Sequence, residues 1–173
     1  MKNDSAIREI PGTVKTLTVH YNQYGPNDQL IKQVPYAKAC MGLVENPYTG
    51  TVDVAVAPYV KSEDGEYELL YTLAEDIKFG EYRKMARICK QCRKEGKPIP
   101  KEIDEAEIAA FLKDMMERKT YGNQQANAIV AKKIGDMSVE TDFCLAPWRM
   151  SITGSQDAVN LKAAYEARKK TQN

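Results

Sequence analysis

The sequence predicts an α+β domain, in which an antiparallel β-meander of about four to five strands is followed by about three to four helices packed on one face of the sheet. Residues 13–73 alternate apolar and polar side chains between closely spaced turn signals, the pattern of neighbouring antiparallel strands. Residues 77–134 instead repeat apolar side chains at steps of three and four, the period of helices with one buried face. Strands followed by helices are typical of this fold class.

Length and composition are those of one folded domain with a core. The chain has 173 residues, of which 43% are apolar and 28% charged, and a formal net charge of +1. We predict a flexible N-terminal arm over residues 1–10 and a single domain over residues 11–173. The domain divides into a sheet region (13–73), a helical region (77–134) and a strand with a C-terminal helix (137–173). The near-neutral charge argues against coating nucleic acid by bulk charge but permits a local basic patch.

Several sequence features indicate a cytoplasmic protein without a membrane partner. No apolar run is long enough to cross a bilayer, and residues 1–10 are too polar for a secretory signal. The four cysteines are too few for a disulfide-stapled scaffold, so we expect them to be reduced. A viral or mobile-element origin fits these features equally well.

Four strands are predicted in the sheet region. Each is bounded by turn residues, and they lie at 13–23, 37–45, 51–60 and 67–71. Pro35 separates 37–45 from the apolar residues 30–34, because proline removes a ladder hydrogen bond. A fifth strand is assigned to 137–145, extended or paired by 148–153.

The central helix is predicted over residues 77–97. Its apolar stripe contains Phe79, Tyr82, Met85, Ala86, Cys89 and Cys92. Gly96 and Pro98 end it, because glycine accepts the left-handed conformation and proline cannot continue the helix.

Further helices follow the central one. The next begins at the N-cap Asp104, with Glu107 three residues on, and ends near Gly122. Another runs from Asn123 to Gly135, and a last one is capped by Ser155 and continues to Lys170.

The polar face of the central helix carries the site prediction. Its basic residues are Arg83, Lys84, Arg87, Lys90, Arg93 and Lys94. Such a row is an electrostatic footprint for phosphates, so we predict that these six residues bind nucleic acid or another polyanion. The alternative is a solvated face without a ligand. Its Lys and Arg side chains would cover core residues with their aliphatic parts, and the basic residues near the end of the helix would complement the helix dipole.

The four cysteines are candidate ligands for a metal ion. Cys89 and Cys92 have C-x-x-C spacing, and with Cys40 and Cys144 they make a candidate zinc site, in which His20 is a substitute ligand. Both helix cysteines lie on the apolar stripe, where cysteine serves as a small hydrophobe. We therefore predict that the cysteines are buried and that they hold no metal or cofactor. A redox role is disfavoured because the pair lies late in its helix, where the helix field raises a thiol pKa.

Three tyrosines are the candidates for aromatic contacts with a ligand or a partner. Tyr24 and Tyr48 fall in predicted turns, and Tyr59 falls opposite the valines of its strand. Alternation assigns Tyr67 and Tyr71 to the core instead.

Enzymatic activity is not expected. Phosphate-binding glycine motifs are absent from the sequence, and His20 is the single histidine. The sequence favours a non-enzymatic accessory protein that binds nucleic acid or another polyanion through the basic face of the 77–97 helix. The alternative is an interaction or assembly subunit with no nucleic-acid role: a structural component of a larger complex or particle, or an inhibitor of a partner protein. The thin C-terminal helix, the polar arm and the turn tyrosines motivate a protein partner or self-association.

Overall fold

The protein folds as an antiparallel sheet joined to helices, which confirms the α+β class. The computed structural model describes residues 7–24, 26–61, 64–134 and 156–171. Within them the strands are β1 (Arg8–Glu9), β2 (Lys15–Tyr24), β3 (Leu30–Asn46), β4 (Thr51–Lys61) and β5 (Tyr67–Leu69). The helices of the same ranges are α1 (Leu73–Glu95), α2 (Glu105–Ile134) and α3 (Gln156–Thr171).

Strand β3 is the centre of the sheet. Its first part pairs with β2 and its end pairs with β1, while β4 lies along its other edge and is followed by β5. The predicted break at Pro35 is wrong, since β3 runs through it. A register shift between Val19 and His20 accommodates the proline, and β4 pairs with β3 only from Lys38 onward. A bulge in a segment with one neighbouring strand tolerates the missing N–H.

The predicted flexible arm is corrected at residues 7–10. Arg8 and Glu9 pair with β3, and the Ile10 N–H donates to the Leu43 carbonyl at 2.9 Å. Ile7 and Ile10 are buried in the core cluster, so apolar burial holds this segment on the sheet. Residues 1–6 of the predicted arm lie outside the described residues.

Helix α1 begins at Leu73, before the predicted start at 77. The side chain of Thr72 accepts a hydrogen bond from the Glu75 N–H at 3.0 Å, and the Glu75 carboxylate accepts one from the Thr72 N–H at 3.0 Å. This capping box satisfies two otherwise unpaired N–H groups. The predicted end is confirmed, because Gly96 has a φ of 69° and terminates the helix.

Helix α2 is continuous where the sequence predicted two helices divided at 122–123. Asp104 accepts from the Glu107 N–H at 3.2 Å, as predicted for its N-cap. Gly122 is buried inside the helix. Burial against neighbouring elements outweighs the roughly 1 kcal/mol that a glycine costs within a helix. The predicted last helix is confirmed as α3, whereas the strand assigned to 137–145 and its extension at 148–153 lie outside the described residues.

The two long helices lie antiparallel to each other. Arg93 near the end of α1 pairs with Glu105 at the start of α2, and Arg118 later in α2 pairs with Glu75 in the first turn of α1. Both helices contact β3 and β4. That all the helices cover one face of the sheet stays a prediction. Across the described ranges, no helix combines the length and apolar character needed to cross a membrane.

Candidate functional site: the basic face of α1

Four exposed basic residues form a line along the second half of α1. Arg83, Arg87, Lys90 and Lys94 are separated by steps of four, three and four residues, which places them on one face of the helix. Neighbouring side chains at such steps have Cβ atoms about 5–6 Å apart. The line spans about 16 Å at the helical rise of about 1.5 Å per residue. We call these four residues the cationic row.

Two of the six predicted binding residues, Lys84 and Arg93, lie outside this row and are paired with carboxylates within the fold. Lys84 Nζ lies 3.1 Å from Oε1 of Glu81. Arg93 forms an ion pair with Glu105 of α2. The cationic row, by contrast, has no ion pair with any residue that the structure describes, so its charges face solvent.

Lys119 of α2 contacts the same aromatic ring as Arg83, the first residue of the row. The Arg83 guanidinium lies 5.6 Å from the centroid of the Phe79 ring, and Lys119 Nζ lies 4.7 Å from the same centroid. Lys119 also donates to the Tyr71 hydroxyl at 3.3 Å. These contacts place a cation of α2 near the first residue of the row.

Acidic residues border the cationic row. Glu81 and Glu105 hold the ion pairs just described, and Glu95 lies 3.1 Å from Lys97 Nζ. Hydrogen bonds from Gln91 and Lys97 lower the pKa of Glu95 below its usual value, so this carboxylate stays charged at neutral pH. The row is therefore a narrow stripe of unpaired cations between ion pairs whose charges cancel.

A polar network anchors α1 to the sheet beside the row. Asn46 Nδ2 donates to Asp53 Oδ2 at 2.9 Å and to Glu81 Oε1 at 3.1 Å. The fully buried Asp76 accepts from the Val56 N–H at 3.0 Å. No sequence pattern singles out Asp76 or Asn46, because an acidic residue in the first turn of a helix is ordinarily explained by its favourable interaction with the helix dipole. The network orients α1 and the residues on it.

Gly80 lines a pocket of about 280 Å³ next to this network. A Cβ added at Gly80 meets nothing within 4 Å, and the position is helical. We therefore expect Gly80→Ala to raise the free energy of unfolding by about 0.5–1 kcal/mol, measured by urea denaturation, because alanine loses less backbone entropy.

Gly42→Ala is the matched control for this prediction. A Cβ there would lie 2.9 Å from Leu73 Cδ1 and 3.1 Å from Val14 Cγ2, so this substitution should destabilise the protein by about 1–3 kcal/mol. Equal effects of the two alanines would contradict the packing described.

The cysteines do not converge on a metal site within the described residues. Cys40 lies on β3 and is buried, Cys89 is buried on α1, and Cys92 is half-buried. Burial raises the pKa of the Cys40 and Cys89 thiols, which favours the neutral form. No group of three or more His, Cys, Asp or Glu in the described ranges is arranged to hold a metal ion. Cys144 lies outside these ranges, and His20 is exposed on β2.

Two of the predicted aromatic contacts, Tyr48 and Tyr59, lie apart from each other in the fold. Tyr48 lies in the turn before β4, and Tyr59 near the other end of β4, and both are half-buried against the core. The side chain of Tyr24 lies outside the described ones. Tyr67 is a correction to the predicted core: it is 44% exposed, because β5 is a short edge strand, and Lys38 lies over its ring. Tyr71 is buried, as predicted.

Comparisons with known proteins found no match: no protein-family model, curated protein or solved structure is similar to this chain.

Proposed function

We propose that this protein is a non-enzymatic accessory protein that binds nucleic acid or another polyanion through the cationic row of α1. The observation that supports the proposal is the contrast within the helix. Lys84 and Arg93 are neutralised by Glu81 and Glu105, while the four aligned cations between and beyond them are not paired with any described residue. An exposed row of like charge offers successive contacts to a chain of phosphates.

The cationic row contributes little to the stability of its own helix. The residues of the row, which follow one another at steps of three and four, repel each other by about 0.2–0.5 kcal/mol per pair. Lys94 in the last turn offsets part of this cost through the helix dipole. Binding and folding are therefore separable at this site, which makes the proposal testable by substitution.

The test is fluorescence anisotropy with labelled single- and double-stranded oligonucleotides of about 20 nucleotides, longer than common single-strand site sizes. Four phosphate contacts predict that affinity falls about 50-fold between about 50 and about 200 mM salt for a single strand. The variant R83Q/R87Q/K90Q/K94Q should lose binding while its circular dichroism spectrum and urea midpoint stay near those of the unmodified protein.

A charge-matched control separates the row from bulk charge. The variant K15Q/K113Q/K162Q/K169Q removes four exposed lysines outside α1 and changes the net charge equally. It should bind within about threefold of the unmodified protein, because distant exposed charges are screened over about 10 Å. Equal losses in the two variants, or no binding at the lower salt, would overturn the proposal and favour the interaction or assembly hypothesis.

That second hypothesis is favoured by one observation. Strand β5 lies at the edge of the sheet, and its Tyr67 and Leu69 are 44% and 42% exposed. Exposed apolar side chains on an edge strand suit pairing with another chain.

A further inference from the structure

Beyond binding a polyanion, we infer that the ligand of the cationic row is a single-stranded nucleic acid, held by its phosphate backbone without base stacking. This inference rests on the proposed function. It follows from the shape of the row, the charge of its borders and the burial of the nearby aromatic rings.

The shape of the row suits a flexible strand. Arg83, Arg87, Lys90 and Lys94 follow a straight line, because α1 is a regular helix and their steps keep to one face. In a duplex the phosphates of each strand wind around the axis once in about 10 base pairs, and the duplex is stiff, with a persistence length of about 50 nm. A single strand can lay consecutive phosphates along the whole row of about 16 Å, whereas a stiff duplex must be oriented with one of its backbones along the row.

The borders of the row disfavour a second strand. A helix that enters the major groove is flanked by phosphate backbones on both sides, and such proteins offer cations to both. Here the flanking cations Lys84 and Arg93 are held by Glu81 and Glu105. Glu95 is likewise paired with Lys97. One phosphate chain is attracted by the unpaired cations of the row, while a second would lie against ion pairs that offer no net attraction.

The aromatic side chains of α1 are not available for stacking. Phe79 is 7% exposed and Tyr82 is fully buried. Stacking on aromatic rings gives single-strand-binding proteins much of their affinity for bases. Its absence at this face predicts binding by the backbone alone, with steep salt dependence and little preference among sequences.

The experiment compares three labelled or competing ligands on the intact protein at about 50 mM salt, where phosphate contacts are strongest. They are an unstructured thymidine oligonucleotide, a duplex of the same length, and linear inorganic polyphosphate at matched phosphate concentration. We expect the single strand to bind at least about tenfold tighter than the duplex, the difference that one to two lost phosphate contacts produce. Adenine and thymine homopolymers should bind within about threefold of each other, since stacking preferences are absent.

A substitution at the border of the row gives an independent test. Glu95→Gln removes one bordering carboxylate and releases Lys97, so it should raise duplex affinity by about threefold or more and single-strand affinity by less. Duplex binding as tight as single-strand binding, or an equal gain for both in Glu95→Gln, would overturn this inference and leave the proposed function standing. Polyphosphate that competes as well as the single strand does, at equal phosphate concentration, would also overturn the inference. Failure of all three polyanions to bind would overturn both.

Discussion

Replacing Tyr82 by alanine should destabilise the protein by about 3–5 kcal/mol, the range for removing a large aromatic side chain from a core. Tyr82 is fully buried on α1. Its ring packs edge-on against Phe111 of α2, with centroids 5.2 Å apart and planes inclined at 74°. The alanine would leave a cavity between the two long helices, where neighbouring side chains can close in only partly. Urea denaturation followed by circular dichroism measures the change.

Tyr82→Phe separates the ring from the hydroxyl. The hydroxyl donates to Glu107 Oε1 at 3.1 Å in a half-buried setting, so its removal should cost only about 1 kcal/mol. A loss below about 1 kcal/mol for Tyr82→Ala, or equal losses for the two variants, would contradict the packing of α1 on α2.

Asp76→Ala should destabilise the protein by about 3 kcal/mol. The carboxylate is fully buried and accepts a hydrogen bond from the Val56 N–H of β4 at 3.0 Å. Truncation leaves that N–H without its acceptor in a buried place, and hydrogen bonds to charged groups contribute about 1.5–3 kcal/mol. It also removes a negative charge near the positive end of α1, which costs up to about 1 kcal/mol more.

Asp76→Asn is the informative partner of this variant. Its amide oxygen can still accept from Val56, so we expect a smaller loss than for alanine, and the difference between the two measures the hydrogen bond. Glu117→Gln on α2 is the surface control, because Glu117 is exposed, and it should cost less than about 1 kcal/mol. A loss for Asp76→Ala no larger than that control would contradict the anchoring role of the carboxylate.

The Tyr82→Ala and Asp76→Ala variants also serve as controls for the binding experiment. Tyr82 and Asp76 hold α1 in place, so their alanine variants should lose binding only under conditions in which circular dichroism shows unfolding. The quadruple variant of the cationic row should lose binding while folded. A loss of affinity in a folded Tyr82→Ala protein would show that the position of α1 relative to α2 also matters to the ligand.

Local sequence patterns predicted much of the fold correctly. The apolar stripe of α1 from Phe79 to Cys89 is buried or half-buried, and the helix ends at Gly96 as expected. These features depend on periods and caps within a few residues, which a sequence displays directly. The predictions failed where burial outweighed a local signal. Gly122 did not end a helix, Pro35 did not end a strand, and Ile7 and Ile10 brought part of the predicted arm into the core.

The sequence by itself determined that α1 is amphipathic and that its polar face is rich in Lys and Arg, because both follow from the helical period. Only the tertiary structure decided which of those charges remain unpaired. Arg93 is neutralised by Glu105, twelve residues away and in another helix, once α2 folds back along α1. Asp76 likewise becomes a buried anchor only because β4 presents the Val56 N–H to it from 20 residues away. Ion pairs and buried hydrogen bonds of this kind depend on distances that the antiparallel packing of α1, α2 and the sheet creates, and no local period encodes them.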